Sequence, residues 1–128
     1  MFLGIDVGTS AVKALLIDEN SATRAEADIP LSLSSPKPFW SEQNPTDWWN
    51  ATLRAIDALH AQNPTDIAAT RAIGLSGQMH GATLLGDDDK PLRPAILWND
   101  GRAMRECEEL DAALPDLGMR AGVATMPG

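Results

Sequence analysis

A chain of 128 residues, 44% of them hydrophobic, is long enough to bury a core and is expected to form one globular domain. Its formal net charge of -8, without a cluster of Lys or Arg, argues against a nucleic-acid partner or an anionic membrane surface. The single cysteine, Cys107, excludes an internal disulfide. The sequence also lacks a signal-peptide pattern and any apolar run near the ~20 residues of a membrane span. A cytoplasmic protein is therefore expected.

The first third of the sequence predicts three strands. Two short apolar runs, 2–7 and 12–17, flank the small-residue turn 8–11, and this spacing is typical of a β-hairpin. A third strand is predicted at 24–33, and a loop rich in Pro and Ser follows at 34–45.

A helix is predicted to follow this loop. Asn44 suits its N-cap and Pro45 its first position, while Asn63 and Pro64 should end it. Four residues at helical spacing predict its buried face: Trp49, Leu53, Ile56 and His60.

Three short strands and a second helix account for most of the remainder. The strands are predicted at 71–76, 82–85 and 95–98. Asp100 is predicted to cap the second helix and Pro115 to stop it. The inner stripe of this helix is predicted to comprise Met104, Cys107, Leu110 or Asp111, and Leu114.

This order of elements predicts an α/β fold with a mixed sheet, in which the first three strands are antiparallel and helices pack on the sheet. The regular strand–helix alternation of a Rossmann domain is absent. Residues 116–128 carry no predicted element and end on Met-Pro-Gly. We therefore expect the intact protein to continue beyond Gly128.

The first candidate site lies where the first strand meets its turn. The amides of Gly8, Thr9 and Ser10 can converge on phosphate oxygens, and two hydroxyls add donors. Asp6 could hold Mg²⁺ through water, because Mg²⁺ takes few carboxylates and keeps several waters. The alternative interpretation is an ordinary hairpin turn, since these residue types are common in turns.

The second candidate site follows the strand at 71–76. Gly77 and Gly81 bracket Gln78, Met79 and His80, and glycine lets a backbone approach a small ligand closely. Gln78 and His80 offer donors and acceptors that suit sugar hydroxyls. The alternative interpretation is a β-turn with a solvated histidine.

The third candidate site is the segment 97–102. Trp98 could wall a sugar pocket, and Asn99, Asp100 and Arg102 could bind hydroxyl groups. The alternative is that Asp100 serves only as a helix cap.

Four segments, taken together in this order, resemble the FGGY carbohydrate kinases. They are 4–10 with Lys13 following, 40–45 leading into Trp48 and Trp49, 77–81, and 97–102. The Gln-Met-His-Gly form of the third segment is similar to the xylulokinase branch of that family. Glycerol kinases carry Arg-Glu after the Gln, so the resemblance disfavours that substrate.

The resemblance implies a ribonuclease-H-like (actin-like ATPase) fold in two domains separated by a cleft. Residues 1–128 would be the N-terminal, sugar- and phosphate-side part of the first domain, without the ATP-binding second domain. The implied reaction transfers the γ-phosphate of ATP to D-xylulose, giving D-xylulose 5-phosphate, with Mg²⁺ as the metal.

The resemblance also implies roles for individual residues. Asp6 matches the family's Asp near the phosphates and metal, and Met79 and His80 match its sugar-contacting pair. Gln78, Trp98 and Asp100 are further substrate-binding candidates. The family's catalytic base and adenine site lie beyond residue 128, so this chain alone is expected to be inactive.

Two alternatives remain open at this point. The chain could belong to a kinase for another ketose or polyol, or to a non-catalytic module that binds a sugar or a protein partner. The expected partners are a small-molecule sugar and ATP, without nucleic acid or membrane. The sequence leaves the oligomeric state open, a homo-oligomer included.

Overall fold

The computed structural model describes residues 1–127, which form two compact units. The first, here called the sheet unit, comprises Met1–Leu33 and Asn44–Gln78. The second, here called the loop unit, comprises Ser34–Gln43 and the described residues from Met79 onward.

Strands come before helices in the first part of the chain, and short elements dominate the last part. Within residues 1–127 the order is β1 (Phe2–Val7), β2 (Ala11–Ile17), β3 (Thr23–Pro30), β4 (Glu42–Gln43), α1 (Pro45–Gln62), α2 (Pro64–Ala68), β5 (Ala72–Ser76), β6 (Ala95–Ile96), α3 (Met104–Ala113) and α4 (Leu117–Ala121).

A four-stranded mixed sheet in the order β3-β2-β1-β5 forms the base of the sheet unit. β2 pairs antiparallel with both β1 and β3, whereas β5 runs parallel to β1. The parallel pair needs a crossover connection, which α1 and α2 help to supply. The predicted mixed sheet with three antiparallel strands first is confirmed.

One face of this sheet is buried beneath α1. Because side chains alternate along a strand, every second residue of β1 and β2 points to the same face. The buried strand residues are Leu3, Ile5, Val12, Ala14, Leu16 and Ala25. Ala51, Ala55 and Leu59 of α1, spaced four apart, complete this core.

The predicted start of α1 is confirmed. Asn44 is its N-cap, and the side-chain oxygen of Asn44 accepts a hydrogen bond from the Thr46 amide at 3.0 Å. Pro45 occupies the first helical position, where a missing N–H costs nothing.

The predicted buried face of α1 is wrong for its largest members. Trp49 is 63% exposed and Leu53 41% exposed, and His60 is exposed, whereas Ile56 is partly buried against the core. The helix instead faces the sheet with Ala51, Ala55 and Leu59, and the two alanines let the helix and sheet backbones approach closely. A Trp in that seam would hold the helix away from the sheet.

The other face of the sheet is open. It carries Gly4, Asp6, Lys13, Leu15 and Glu26, all of them exposed. β5 forms one edge of the sheet, and each of its residues is exposed. The sheet unit therefore presents a mixed polar and apolar surface opposite α1.

The loop unit is built around the short antiparallel pair β4–β6. Ala95 and Leu97 are fully buried beside it. The strand predicted at 95–98 is shortened to two residues, and the strand predicted at 82–85 is wrong, since that segment forms only isolated bridges. Pro91 and Pro94 lack the amide donors that a longer ladder needs.

The second helix starts later than the sequence predicts. α3 begins at Met104 with Ala103 in the cap position, so the prediction of Asp100 as its N-cap is wrong. Its predicted inner stripe is at least partly exposed, with Met104 54% and Leu110 46% exposed. The helix ends before Pro115, as predicted. α4 lies where no element was predicted, and Gly128 of that stretch falls outside the described residues.

Candidate functional site

A tight turn follows β1 and carries the predicted phosphate-binding residues. The amide of Gly8 donates to the carbonyl oxygen of Ala11 at 3.0 Å, which leaves Thr9 and Ser10 at the tip of the hairpin. A Cβ on Gly8 would stand 3.1 Å from that same carbonyl oxygen, so any side chain there would push the turn open. Because the Gly8 amide already donates a hydrogen bond within the turn, a phosphate would contact Thr9 and Ser10 at the tip.

The parallel pairing of β1 and β5 brings the first and second candidate segments together in the sheet unit. Asp6 and Ser76 are opposite each other at the carboxyl ends of the two strands. Beyond those ends, the Thr9 hydroxyl donates to the side-chain oxygen of Gln78 at 3.2 Å. In open α/β sheets, ligands bind outside the carboxyl ends of the parallel strands.

The open face of the sheet holds a pocket of about 820 Å³. Asp6, Lys13, Glu26, Asp28 and Ser76 are among the residues that line it. The Lys13 ammonium lies 3.7 Å from the Asp28 carboxylate, and both side chains are largely exposed. Three carboxylates and one ammonium give this pocket a negative charge, so an anionic ligand here would need a cation with it.

Met79 and His80 belong to the loop unit and are exposed, Met79 by 66%. His80 adopts a φ of 57°, in the left-handed region that only a few per cent of residues other than glycine occupy. Ser21, Phe39 and Asp89 share this conformation, so the backbone alone does not distinguish His80 as a site residue. The side chains of Met79 and His80 are both accessible to a small ligand.

The third candidate segment forms a turn with its tip exposed and its base buried. The Asp100 amide donates to the Leu97 carbonyl oxygen at 3.0 Å, which closes the turn around Trp98 and Asn99. Trp98 is 50% exposed and Asn99 is exposed, whereas Leu97 is fully buried and Asp100 is 1% exposed. The structure thus leaves Trp98 accessible to a ligand and buries Asp100, although the sequence analysis placed both in one ligand set.

The Asp100 carboxylate is held from two sides. Its Oδ1 accepts from the amide and Nε of Arg102 at 2.9 and 2.8 Å, and its Oδ2 accepts from Nη2 of Arg102 and the Ser41 amide, each at 2.6 Å. The hydrogen bond from Arg102 is the main cause that lowers the pKa of Asp100 to about 2. Asp100 is ionised throughout the neutral range.

Glu42 extends this cluster, and sequence reasoning missed its role. It is 6% exposed and accepts from Arg93, while Nη2 of Arg102 lies 2.8 Å from the same carboxylate oxygen. The Arg102 guanidinium also stacks over the Trp40 ring, 3.7 Å from its centroid. Contact with both carboxylates raises the pKa of Arg102, with Asp100 as the larger influence. The one available signal was the Trp-Ser-Glu-Gln segment that formed part of the resemblance.

A metal site made by the protein alone is not found in residues 1–127, where no group of three His, Cys, Asp or Glu side chains could hold an ion. Across the same residues, none of the helices is long and apolar enough to cross a membrane. A single carboxylate such as Asp6 still suits Mg²⁺, which is bound in phosphate sites by one or two carboxylates, water and the phosphates themselves.

Comparison with known proteins decides the family. The chain matches the description "FGGY family of carbohydrate kinases, N-terminal domain" over residues 1–128. The chain belongs to the FGGY family. The resemblance to this family, predicted from four sequence segments, is therefore confirmed.

Two curated relatives of the FGGY chain are named xylulose kinase. The Escherichia coli K12 protein is 48% identical over 128 residues, and the Klebsiella pneumoniae protein is 45% identical over the same length. Each alignment covers 100% of this chain and 26% of the relative. The chain thus spans about a quarter of the length of the curated relatives it matches.

A solved structure supports the fold assignment. The "xyloylose kinase" from Brucella ovis is 52% identical with a TM-score of 0.92, and the match covers 98% of this chain and 26% of that protein. The predicted fold class, the actin-like ATPase fold of the FGGY sugar kinases, is confirmed.

Proposed function

We propose that this chain is the N-terminal, sugar- and phosphate-side part of a xylulose kinase, which transfers the γ-phosphate of ATP to D-xylulose. One observation of the geometry carries the proposal. The Thr9 hydroxyl bonds Gln78, so the phosphate turn and the start of the sugar segment meet beyond the carboxyl ends of β1 and β5. The similar proteins from Escherichia coli and Klebsiella pneumoniae support the choice of substrate.

Six of the candidate residues have a direct role in this proposal. At the hairpin tip, the amides of Thr9 and Ser10 and the Ser10 hydroxyl donate to the phosphates of ATP, while the Thr9 hydroxyl donates to Gln78, and Gly8 keeps the turn tight. Met79 and His80 contact the sugar, and the exposed ring of Trp98 covers one side of it. Such positioning accounts for most of catalysis in phosphoryl transfer, together with electrostatic stabilisation.

Mg²⁺ is part of the proposal because of the charge of the open face. The three carboxylates that line the pocket would repel a triphosphate, and Lys13, itself beside Asp28, offsets only one of them. A divalent cation held by Asp6 through water would offset this repulsion and neutralise charge on the transferring group.

A hybrid protein tests the proposal on this sequence itself. Residues 1–128 would replace the aligned segment of the Escherichia coli xylulose kinase, which is 48% identical. We expect ATP-dependent ADP release with D-xylulose, and its loss in the same hybrid with Asp6→Asn. A hybrid that unfolds cooperatively on heating and yet has no xylulose-dependent turnover would contradict the proposal.

Three expectations remain predictions. The chain alone should not phosphorylate D-xylulose, because phosphoryl transfer needs a positioned sugar, bound ATP and a group that accepts the hydroxyl proton. A cytoplasmic location also stays a prediction. A homo-oligomer remains one of the states open to the intact protein.

A further inference from the structure

Hydrogen bonds to Ser41 hold both ends of the turn at 97–100. The Ser41 carbonyl oxygen accepts from the Leu97 amide at 3.0 Å, and the Ser41 amide donates to Asp100 Oδ2 at 2.6 Å. Next to the turn, the Gly101 amide donates to the Phe39 carbonyl oxygen at 2.7 Å. A Cβ on Gly101 would stand 3.2 Å from the Phe39 Cβ, so a side chain there would require the two segments to move apart by a few tenths of an ångström.

The charges beneath the turn are buried and mutually engaged. Asp100 and Glu42 are 1% and 6% exposed, and the Arg102 side chain is 14% exposed between them. The Arg102 fork binds Asp100 with two parallel hydrogen bonds, a geometry that fixes orientation as well as distance. Replacing a buried ion pair by apolar residues is often neutral for stability. These buried charges can therefore serve to specify the conformation of the turn and not to stabilise the fold.

We infer that Asp100, Arg102 and Glu42 are positioning residues, which fix the turn so that Trp98 presents its ring to the sugar. Asp100 then acts through Trp98 and does not itself bind the sugar, because its carboxylate is buried and already accepts four hydrogen bonds. This inference rests on the proposed function, since the sugar is the ligand that Trp98 would contact.

The test is a double-mutant cycle in the intact protein that contains this chain, assayed for D-xylulose phosphorylation. Asp100→Asn keeps the shape but weakens the Arg102 fork, and it should raise the KM for D-xylulose by roughly tenfold or more. The kcat and the KM for ATP should stay within about twofold. In a Trp98→Ala background, Asp100→Asn should add less than about twofold to the KM, because the residue through which it acts is gone.

Measurements of Tm distinguish a role of Asp100 in positioning Trp98 from a role in stabilising the fold. The fall in Tm caused by Asp100→Asn should be the same with Trp98 present as in the Trp98→Ala background, whereas its effect on KM should differ between the two. Asp88→Asn is the matched control, since Asp88 also pairs with a nearby cation but is exposed, and it should change neither KM nor Tm appreciably. If Asp100→Asn does not fold, Arg102→Lys, which loses the fork but keeps the charge, carries the same expectations.

The possible outcomes distinguish failure of this inference from failure of the proposed function. Independent, multiplicative effects of Asp100→Asn and Trp98→Ala on KM would overturn the inference while the kinase assignment stands. An unchanged KM in Asp100→Asn, or in Trp98→Ala, would overturn it in the same way. Failure of the unsubstituted protein to phosphorylate D-xylulose would overturn the proposed function, and the inference with it.

Discussion

Asp6 stands at the end of β1 on the open face of the sheet, beside the hairpin tip. If it organises Mg²⁺, a neutral amide of the same shape loses the charge that holds the metal. Asp6→Asn in the intact protein should lower kcat by on the order of a hundredfold or more while the KM for D-xylulose changes little. Initial rates at saturating ATP and Mg²⁺ check this.

A matched control for Asp6 lies on α1. Asp57 is an exposed carboxylate on the helix that covers the opposite face of the sheet, so Asp57→Asn should leave kcat unchanged. An Asp6→Asn protein with the unsubstituted kcat at saturating Mg²⁺ would refute the proposed role of Asp6.

His80 combines a hydrogen-bonding side chain with a left-handed backbone conformation, and two substitutions remove these features to different extents. His80→Ala removes the hydrogen-bonding ring and should lower kcat/KM for D-xylulose by the equivalent of about 1–3 kcal/mol, with the KM for ATP unchanged. His80→Asn keeps a polar group and tolerates the φ of 57°, so it should lose less.

The other histidine of the chain is the control for His80. His60 is exposed in the last turn of α1, and His60→Ala should leave kcat/KM for D-xylulose as it was. If His80→Ala also leaves kcat/KM unchanged, His80 is not a sugar ligand.

At the scale of elements, α1 is the helix that closes the core of the sheet unit. Leu59 is fully buried in that core, so Leu59→Ala should lower the free energy of unfolding by about 2–5 kcal/mol through lost burial and a residual cavity. Leu53, on the same helix, is 41% exposed, and Leu53→Ala should cost less than about 1 kcal/mol. Urea unfolding of the two variants checks the difference, and equal losses would contradict the observed face of the helix.

The sequence predicts elements of this fold where local chemistry decides them. The β1–β2 hairpin and the start of α1 follow from a small-residue turn and from the Asn44–Pro45 cap, and both lie where predicted. The buried face of α1 could not be found in this way, because periodicity ranks residues by hydrophobicity. The packing of Ala51 and Ala55 against the sheet depends on size.

The candidate site could likewise be predicted from the sequence only in part. Turn and loop composition indicated candidate binding residues around Asp6 and His80, and the structure shows that both of these side chains are exposed. The role of Asp100 was misread as a cap because the residues that bind it, Ser41 and Arg102, include one 59 positions away. Buried ion clusters of this kind bring together distant segments, and a local pattern carries no signal for them.

For the molecule as a whole, we propose that these residues form the sugar- and phosphate-side part of a xylulose kinase. The family and the similar xylulose kinases indicate the reaction, and the chain spans 26% of those relatives. Because the chain spans only that share of its relatives, substrate choice is to be measured in a protein of their full length.

The most direct test is a comparison of kcat/KM for D-xylulose, D-ribulose and glycerol in the intact protein that contains this chain, measured by coupled ADP release with Mg²⁺ and ATP. The account predicts the highest kcat/KM for D-xylulose, at least about tenfold above glycerol, because the site presents Met79 and His80 rather than an Arg-Glu pair. A higher kcat/KM for D-ribulose or glycerol than for D-xylulose, or turnover of none of the three, would contradict it.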